Sequence, residues 1–153
     1  MDYLSQRPES IKALNAFKNR CAAADHTLAS CVGYFIEKIV FDAAGETDSL
    51  AIALRKGPQK PDVMISLSNL YFTSITKPPG GLHACFVDAI SLTHLPQLPH
   101  PWPESAEGRV CRFDELPELV WLRIVGPAEL DIIASIVTIY TAAADDDTSA
   151  PPP

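Results

Sequence analysis

Apolar residues recur at helical spacing near the start of the chain and alternate with small or polar residues through most of the remainder. In residues 9–24 the apolar positions lie three or four residues apart, as expected for one face of an amphipathic helix. Those positions are Ile11, Leu14, Phe17 and Cys21. Pro8 before the stripe and Asp25 after it set the expected ends of the only helix that the pattern predicts.

Period-two alternation and short apolar runs after this helix predict an antiparallel sheet. Residues 31–42 and 49–55 flank a turn-like "AAGETD" and form a predicted hairpin. Asn69 breaks the alternation of the following strand, which indicates a bulge or a bend there. The later strands are predicted at 63–75, 84–95, 109–113, 119–125 and 130–140.

The hairpin of residues 119–141 carries the strongest pattern, because Val120, Leu122 and Ile124 alternate before the reversal "GPAE" and a long apolar strand follows. Burial of so much aliphatic surface favours a place at the centre of the sheet. The fold class predicted is therefore α+β, mainly antiparallel sheet arranged as a sandwich or half-barrel, with one N-terminal helix.

Three segments are predicted to lie outside regular structure. "KPPGG" at 77–81 is a turn, because Pro79 presets φ and Gly80 permits a positive φ. Residues 96–108 hold several prolines and are expected to form a long exposed loop. Residues 142–153 are small, acidic and proline-terminated, so we expect a disordered tail after a single domain of residues 1–141.

Charge and hydropathy limit the partners. The net charge is −7, with three of the charges at Asp145, Asp146 and Asp147, and no basic stripe is present. Phosphate backbones would be repelled, so we expect no nucleic-acid partner, whereas a basic protein would suit this charge. No apolar run approaches the length of a membrane span, and the N-terminus lacks a signal-peptide pattern, so we expect a cytoplasmic protein without a membrane partner.

Candidate chemical groups are few. His83 and Cys85 would share a strand face, with His94 and His100 downstream, so a Cys/His metal site or a Cys–His nucleophile is one interpretation. The second pair is spread across a proline loop, which favours a buried Cys85 beside a turn histidine. The widely separated cysteines Cys21, Cys31, Cys85 and Cys111 are expected to be reduced and buried. Phosphate-binding, dinucleotide-binding and hydrolase motifs do not occur, so we expect no cofactor, no metal and no catalytic residue.

Acidic and aromatic residues supply the candidate binding surface. Asp114 and Glu115, close to Glu118, suit a solvated turn better than a pair of catalytic carboxylates. Asp88 interrupts a strand, so its carboxylate either faces inward and needs a partner or faces water. Trp102 lies between two prolines, and either it forms an interface hot spot or it folds back as a lid on the sheet.

In strand order, residues 34–141 resemble the small all-β immunity proteins of bacterial polymorphic toxin systems. The resemblance lies in "ISLSNLYFTSI", "FVDAISL" and "LVWLRIVGPAELDIIASIVTIY". It implies a non-catalytic protein that binds another protein, and it carries over no functional residue.

The function predicted from the sequence is protein binding, with an immunity-type inhibitor as the specific form, in which the protein would occlude its partner's active site. The predicted partner-binding residues are Trp102, Asp88, Asp114 and Glu115. The alternative is a small-molecule binder or enzyme with an apolar pocket between helix 9–24 and the sheet, closed by the proline loop. A structural subunit of a larger assembly is a third possibility.

Overall fold

The computed structural model describes residues 8–57, 62–77 and 85–141, with side chains of the first helix from Ala16 onward. It contains helix α1 (Pro8–Ala29) and a six-stranded antiparallel sheet. The strands are β1 (Phe35–Asp42), β2 (Ser49–Arg55), β3 (Val63–Thr76), β4 (Ala89–Leu95), β5 (Leu119–Val125) and β6 (Glu129–Thr141). Their order is β1-β2-β3-β6-β5-β4, so the predicted α+β class is confirmed.

The strand pattern held in its main features. The hairpins β1–β2 and β5–β6 both form, and a register shift beside Asn69, which has φ 59°, confirms the predicted irregularity. Asparagine tolerates this left-handed conformation, which explains why the break falls there. The long β3 and β6 occupy the centre of the sheet, and β5 lies one strand further out, so only half of the 119–141 hairpin is central.

Several predicted bounds were wrong. The helix continues to Ala29 instead of ending at residue 24, because Asp25 lies within the helix and its carboxylate accepts a hydrogen bond from the Leu92 backbone. β1 begins at Phe35 and β4 at Ala89, later than predicted, and residues 109–113 form no strand. The predicted turn at 77–81 lies outside the described residues from residue 78 onward, and the predicted tail at 142–153 lies wholly outside them.

The two edges of the sheet approach each other without closing. Phe35 forms an antiparallel bridge with Phe86, where the Ile36 N–H donates to the Cys85 carbonyl at 2.9 Å. Because this bridge joins the start of β1 to the segment leading into β4, the sheet must curl. Of the two predicted arrangements, sandwich and half-barrel, this curl matches the half-barrel. Gly126, in the turn between β5 and β6, lets that turn lie against the same segment, since a Cβ there would lie 2.1 Å from the Phe86 carbonyl oxygen.

Two apolar cores lie on opposite faces of the sheet, as the alternation of β5 shows. Val120, Leu122 and Ile124 enter the first core, which α1 covers through Cys21 and Leu28. Leu119 and Trp121 enter the second core, which residues 96–118 cover through Trp102, Ala106 and Leu116. The layers are therefore a helix, the sheet and an irregular segment, which we call the lid (residues 96–118). No helix in the described part of the chain is both long and apolar enough to cross a membrane.

Candidate binding groove between the helix and the sheet

The sheet is staggered, and this leaves part of a central strand without a neighbour. β3 pairs with β6 along its whole length, but β5 pairs with β6 only between Leu130 and Ala134. Within the described residues, the edge of β6 from Ser135 to Thr141 therefore has no strand on the β5 side. This edge extends for about 20 Å, because each strand residue advances roughly 3.3 Å.

Helix α1 faces this unpaired edge across a groove of about 690 Å³. The helix wall consists of Phe17, Arg20, Cys21, Ala24 and Thr27, and the strand wall runs from Ser135 to Thr141 with Val120 at one end. Ala24, Val137 and Ile139 are only partly buried against the first core. The groove is open to solvent, since Arg20, Thr138 and Thr141 at its rim are exposed.

The groove wall contains one thiol and one guanidinium. Burial, with a smaller contribution from the charge of Asp25, raises the pKa of Cys21 to about 11. The thiol therefore stays protonated at neutral pH and is a poor nucleophile. Arg20, stacked over the Phe17 ring at 5.6 Å, is the cationic group in the groove wall.

The helix also seals the outer edge of β4. The Leu92 N–H donates to Asp25 Oδ1 at 2.8 Å, and the Cys21 thiol donates to the Leu92 carbonyl at 3.8 Å. These two contacts occupy backbone groups that an edge strand would otherwise leave open. Asp25, which the pattern predicts as the end of the helix, thus lies inside it and makes a tertiary contact.

The histidine and cysteine candidates that fall in the described residues do not assemble into a site. His94 Nε2 lies 2.5 Å from Glu118 Oε1, and its ring packs against Phe17 with centroids 5.3 Å apart. His83 lies outside the described residues, and His100 is exposed. Across the described ranges no three His, Cys, Asp or Glu residues lie close enough to hold a metal ion.

Trp102 belongs to the second core. Its side chain is 5% exposed, its Nε1–H donates to the Pro96 carbonyl at 2.7 Å, and the Arg112 guanidinium lies 4.5 Å from its ring centre. Of the two alternatives for Trp102, the structure shows the lid. Most of the predicted 96–108 loop is exposed, but Trp102 and Ala106 are buried and anchor it to the sheet.

The three predicted acidic residues are exposed but are not brought together. Asp88 faces water just before β4, while Asp114 and Glu115 lie on a turn of the lid near the start of β5. β4 separates the two places by about 20 Å. Phe113 is 50% exposed beside the two lid carboxylates. It was not among the predicted binding residues, because it falls in the strand predicted at 109–113.

A cluster of an arginine, an aspartate and a tryptophan, which the sequence pattern does not predict, joins the lid to the sheet. Arg109 of the lid pairs with Asp131 of β6 at 3.0 Å, and Asp131 also accepts a hydrogen bond from Trp121 Nε1. The Arg109 guanidinium lies between the Phe72 and Trp121 rings, 5.3 and 5.8 Å from their centres. This cluster fixes the lid on the sheet.

The groove lies beside the helix, where the alternative interpretation placed a pocket. The lid does not close it, because the lid covers the opposite face of the sheet. Comparison of the sequence with known protein families gives no match, and comparison with curated proteins gives no significant match either.

Proposed function

We propose that this protein binds another protein without catalysing a reaction, and that the groove between α1 and β6 receives an extended segment of the partner. The observation that carries the proposal is the backbone of β6 from Ser135 to Thr141, which faces α1 and has no strand beside it on that side in the described part of the chain. Unpaired N–H and C=O groups in a row are satisfied by an added strand, and strand addition beside a helix is a recurrent mode of peptide recognition.

The groove walls indicate the chemistry of the segment. Side chains of an added strand would point alternately toward α1 and away from it. Those facing the helix would meet Phe17, Cys21 and Ala24, so apolar residues fit there. Arg20 at the rim favours one acidic side chain or a carboxylate in the segment, since an exposed guanidinium binds such groups well.

The lid offers a second contact surface of opposite charge. Phe113, Asp114 and Glu115 are exposed on a turn in which the Leu116 N–H donates to the Phe113 carbonyl at 3.0 Å. Leu116 is buried in the second core, so the turn is held rigidly. An aromatic ring beside two carboxylates suits a basic surface, and Phe113 takes the role predicted for Trp102.

The specific form of this proposal is an immunity-type inhibitor, which would block a toxin domain by covering its active site. The strand pattern that resembles such proteins and the net charge of −7 support it. The occlusion needs no cofactor, because binding alone prevents access to the partner's site.

The test begins with capture of the partner in the native host. A photo-crosslinking amino acid at Arg20, in the groove wall, is compared with the same amino acid at the exposed neighbour Asn19. A protein captured from position 20 and not from 19 is then purified. Amide exchange in the complex should slow along Ser135–Thr141, because strand addition forms hydrogen bonds with about half of those amides.

A matched pair of substitutions tests the groove directly. Ala24→Trp fills the groove, whereas Ala23→Trp adds the same ring at an exposed position one residue away. Ala24→Trp should weaken binding at least about 30-fold, a loss of roughly 2 kcal/mol, and Ala23→Trp should leave it unchanged. Equal affinity of the two variants, both shown to be folded, would refute binding in the groove.

Cell protection tests the inhibitor form. Co-expression with the captured partner should protect cells from that partner's toxicity, and Ala24→Trp should abolish protection while Ala23→Trp retains it. A captured partner that is not toxic would refute the inhibitor form and leave protein binding in place.

A small apolar ligand is the second candidate function, since about 690 Å³ falls within the size range of ligand pockets. Such a ligand would also be excluded by Ala24→Trp. It would not slow amide exchange along the β6 edge, because it offers no row of main-chain partners. Exchange data therefore distinguish the two occupants.

A further inference from the structure

The two edge strands of the sheet, β1 and β4, differ in how their outer backbone groups are covered. α1 covers the outer edge of β4 through the contacts of Asp25 and Cys21 with Leu92. The outer edge of β1 is hydrogen-bonded only at its start, at Tyr34 and Ile36, as far as the described residues show. From Lys38 to Asp42 the strand follows a regular register with β2, and the one shift precedes Lys38.

This edge is apolar at its centre and charged at both ends. Val40 is 48% exposed and Phe41 58% exposed, while Ile39 is partly buried against the first core. Lys38 and Asp42 are exposed and make no ion pair within the described part of the chain. Because side chains alternate along a strand, Lys38, Val40 and Asp42 share the face opposite α1.

The geometry points to a second copy of this chain as the occupant of that edge, paired antiparallel about Val40. A two-fold axis at Val40 sets Lys38 of each copy directly opposite Asp42 of the other and sets Ile39 opposite Phe41. Opposite charges and aromatic–aliphatic pairs in these positions both stabilise antiparallel strands. The product is one continuous sheet through both copies, with an isologous interface.

The charges select this register. A shift of half a residue, with the axis between Ile39 and Val40, would set Glu37 opposite Asp42 and bring like charges together. An axis on Lys38 would set two lysines against each other. The Val40 axis pairs both charges of the edge with their opposites, and the bulge at Glu37 ends the pairing on one side.

The dimer leaves the groove beside β6 accessible, because β2 and β3 separate β1 from β6. The inference therefore does not depend on the proposed partner, and each can fail without the other. Pairing of a short strand buries little area, so a weak, concentration-dependent dimer is expected.

Charge exchange within the full-length protein provides the test, with sedimentation analysis at concentrations up to about 1 mM to detect a weak dimer. Lys38→Glu and Asp42→Lys each turn two attractive pairs into two repulsive ones. Each variant should raise the dimer dissociation constant about ten- to a hundredfold. Lys18→Glu makes the same charge change on the exposed surface of α1 and should leave dimerisation unchanged.

Recombination of the charges completes the test. The double variant Lys38→Glu/Asp42→Lys should dimerise again, and an equimolar mixture of the two single variants should form a heterodimer. Thermal unfolding of each variant identifies any loss of fold. The mixture tests the charge pairing itself, because each single variant supplies the charges opposite to those of the other. A monomeric wild-type protein, or dimers indifferent to these exchanges, would overturn the inference.

Discussion

Replacement of Trp102 by alanine tests whether the lid is part of the core. The ring is 5% exposed among Leu95, Leu119 and Trp121 in the second core. Burial of a tryptophan removes roughly 150–250 Å² from water, worth about 4–6 kcal/mol as an upper bound at about 25 cal/mol per Å². Measured costs of such truncations are about 3–5 kcal/mol, and we expect about 4 kcal/mol here.

The polar contacts of Trp102 add little to this cost. The Pro96 carbonyl that accepts from Nε1 also accepts from Arg112 Nη2 at 3.1 Å, so it keeps a partner after the substitution. No unsatisfied buried acceptor is created, and that penalty is avoided. Lost packing with the Arg112 guanidinium contributes about 0.5–1 kcal/mol.

Guanidinium unfolding, followed by circular dichroism, is the assay. A loss of about 4 kcal/mol should lower the midpoint by about 1 M, with Trp102→Phe showing a smaller loss because a ring remains. Phe113→Ala, at a half-exposed ring of the same lid, should cost less than about 1 kcal/mol. If Trp102→Ala unfolds within about 0.5 kcal/mol of the wild type, the lid does not pack as described.

Three further predictions concern single positions. Gly126→Ala should destabilise the protein by about 2–4 kcal/mol, because the new Cβ would overlap the Phe86 carbonyl. Gly45→Ala, where the nearest atom is 3.4 Å away, should be nearly neutral. Equal unfolding midpoints of the two variants would contradict the close approach at Gly126. Asn69→Val should cost about 1–2 kcal/mol at φ 59°, and Asn69→Gly should cost less; the reverse order would argue against the positive φ. Burial raises the pKa of Cys21 in the folded state from 9.0 to about 11. The stability that the protonated thiol contributes is therefore complete below pH 9 and is lost as the pH rises through 11, by at most about 3 kcal/mol. Cys21→Ala should remove that share of the alkaline slope, and an unchanged slope in pH-dependent denaturation would refute the shift.

The sequence predicted those parts of the fold that depend on local pattern. The two hairpins and the irregularity at Asn69 follow from alternation and from one residue that tolerates positive φ, so no distant contact was needed to find them. The true end of α1 depended on Asp25, whose carboxylate finds its partner in Leu92 of a remote strand. Local propensity carries no trace of such a contact.

Trp102 and Phe113 show the same limit for the candidate surface. Both are aromatic residues in a polar, proline-rich segment, so local composition does not indicate which of them is buried and which is exposed. Trp102 is buried because Pro96 and Arg112 meet its indole, and Phe113 is exposed because Leu116 takes the buried place of that turn. These choices depend on the path of the whole lid, which the sequence pattern does not specify.

The groove, by contrast, follows from strand lengths. β6 is 13 residues long and its neighbour β5 has 7, so pairing from the shared turn must leave the far end of β6 without a partner on that side. The sequence already showed this mismatch, since the apolar run after "GPAE" is longer than the run before it. In a hairpin of equal strands the edge would be paired to its end, and α1 would face a closed sheet. A long strand beside a short one is therefore the pattern that exposes backbone next to a helix, and here it places the unpaired edge opposite Ala24 and Arg20.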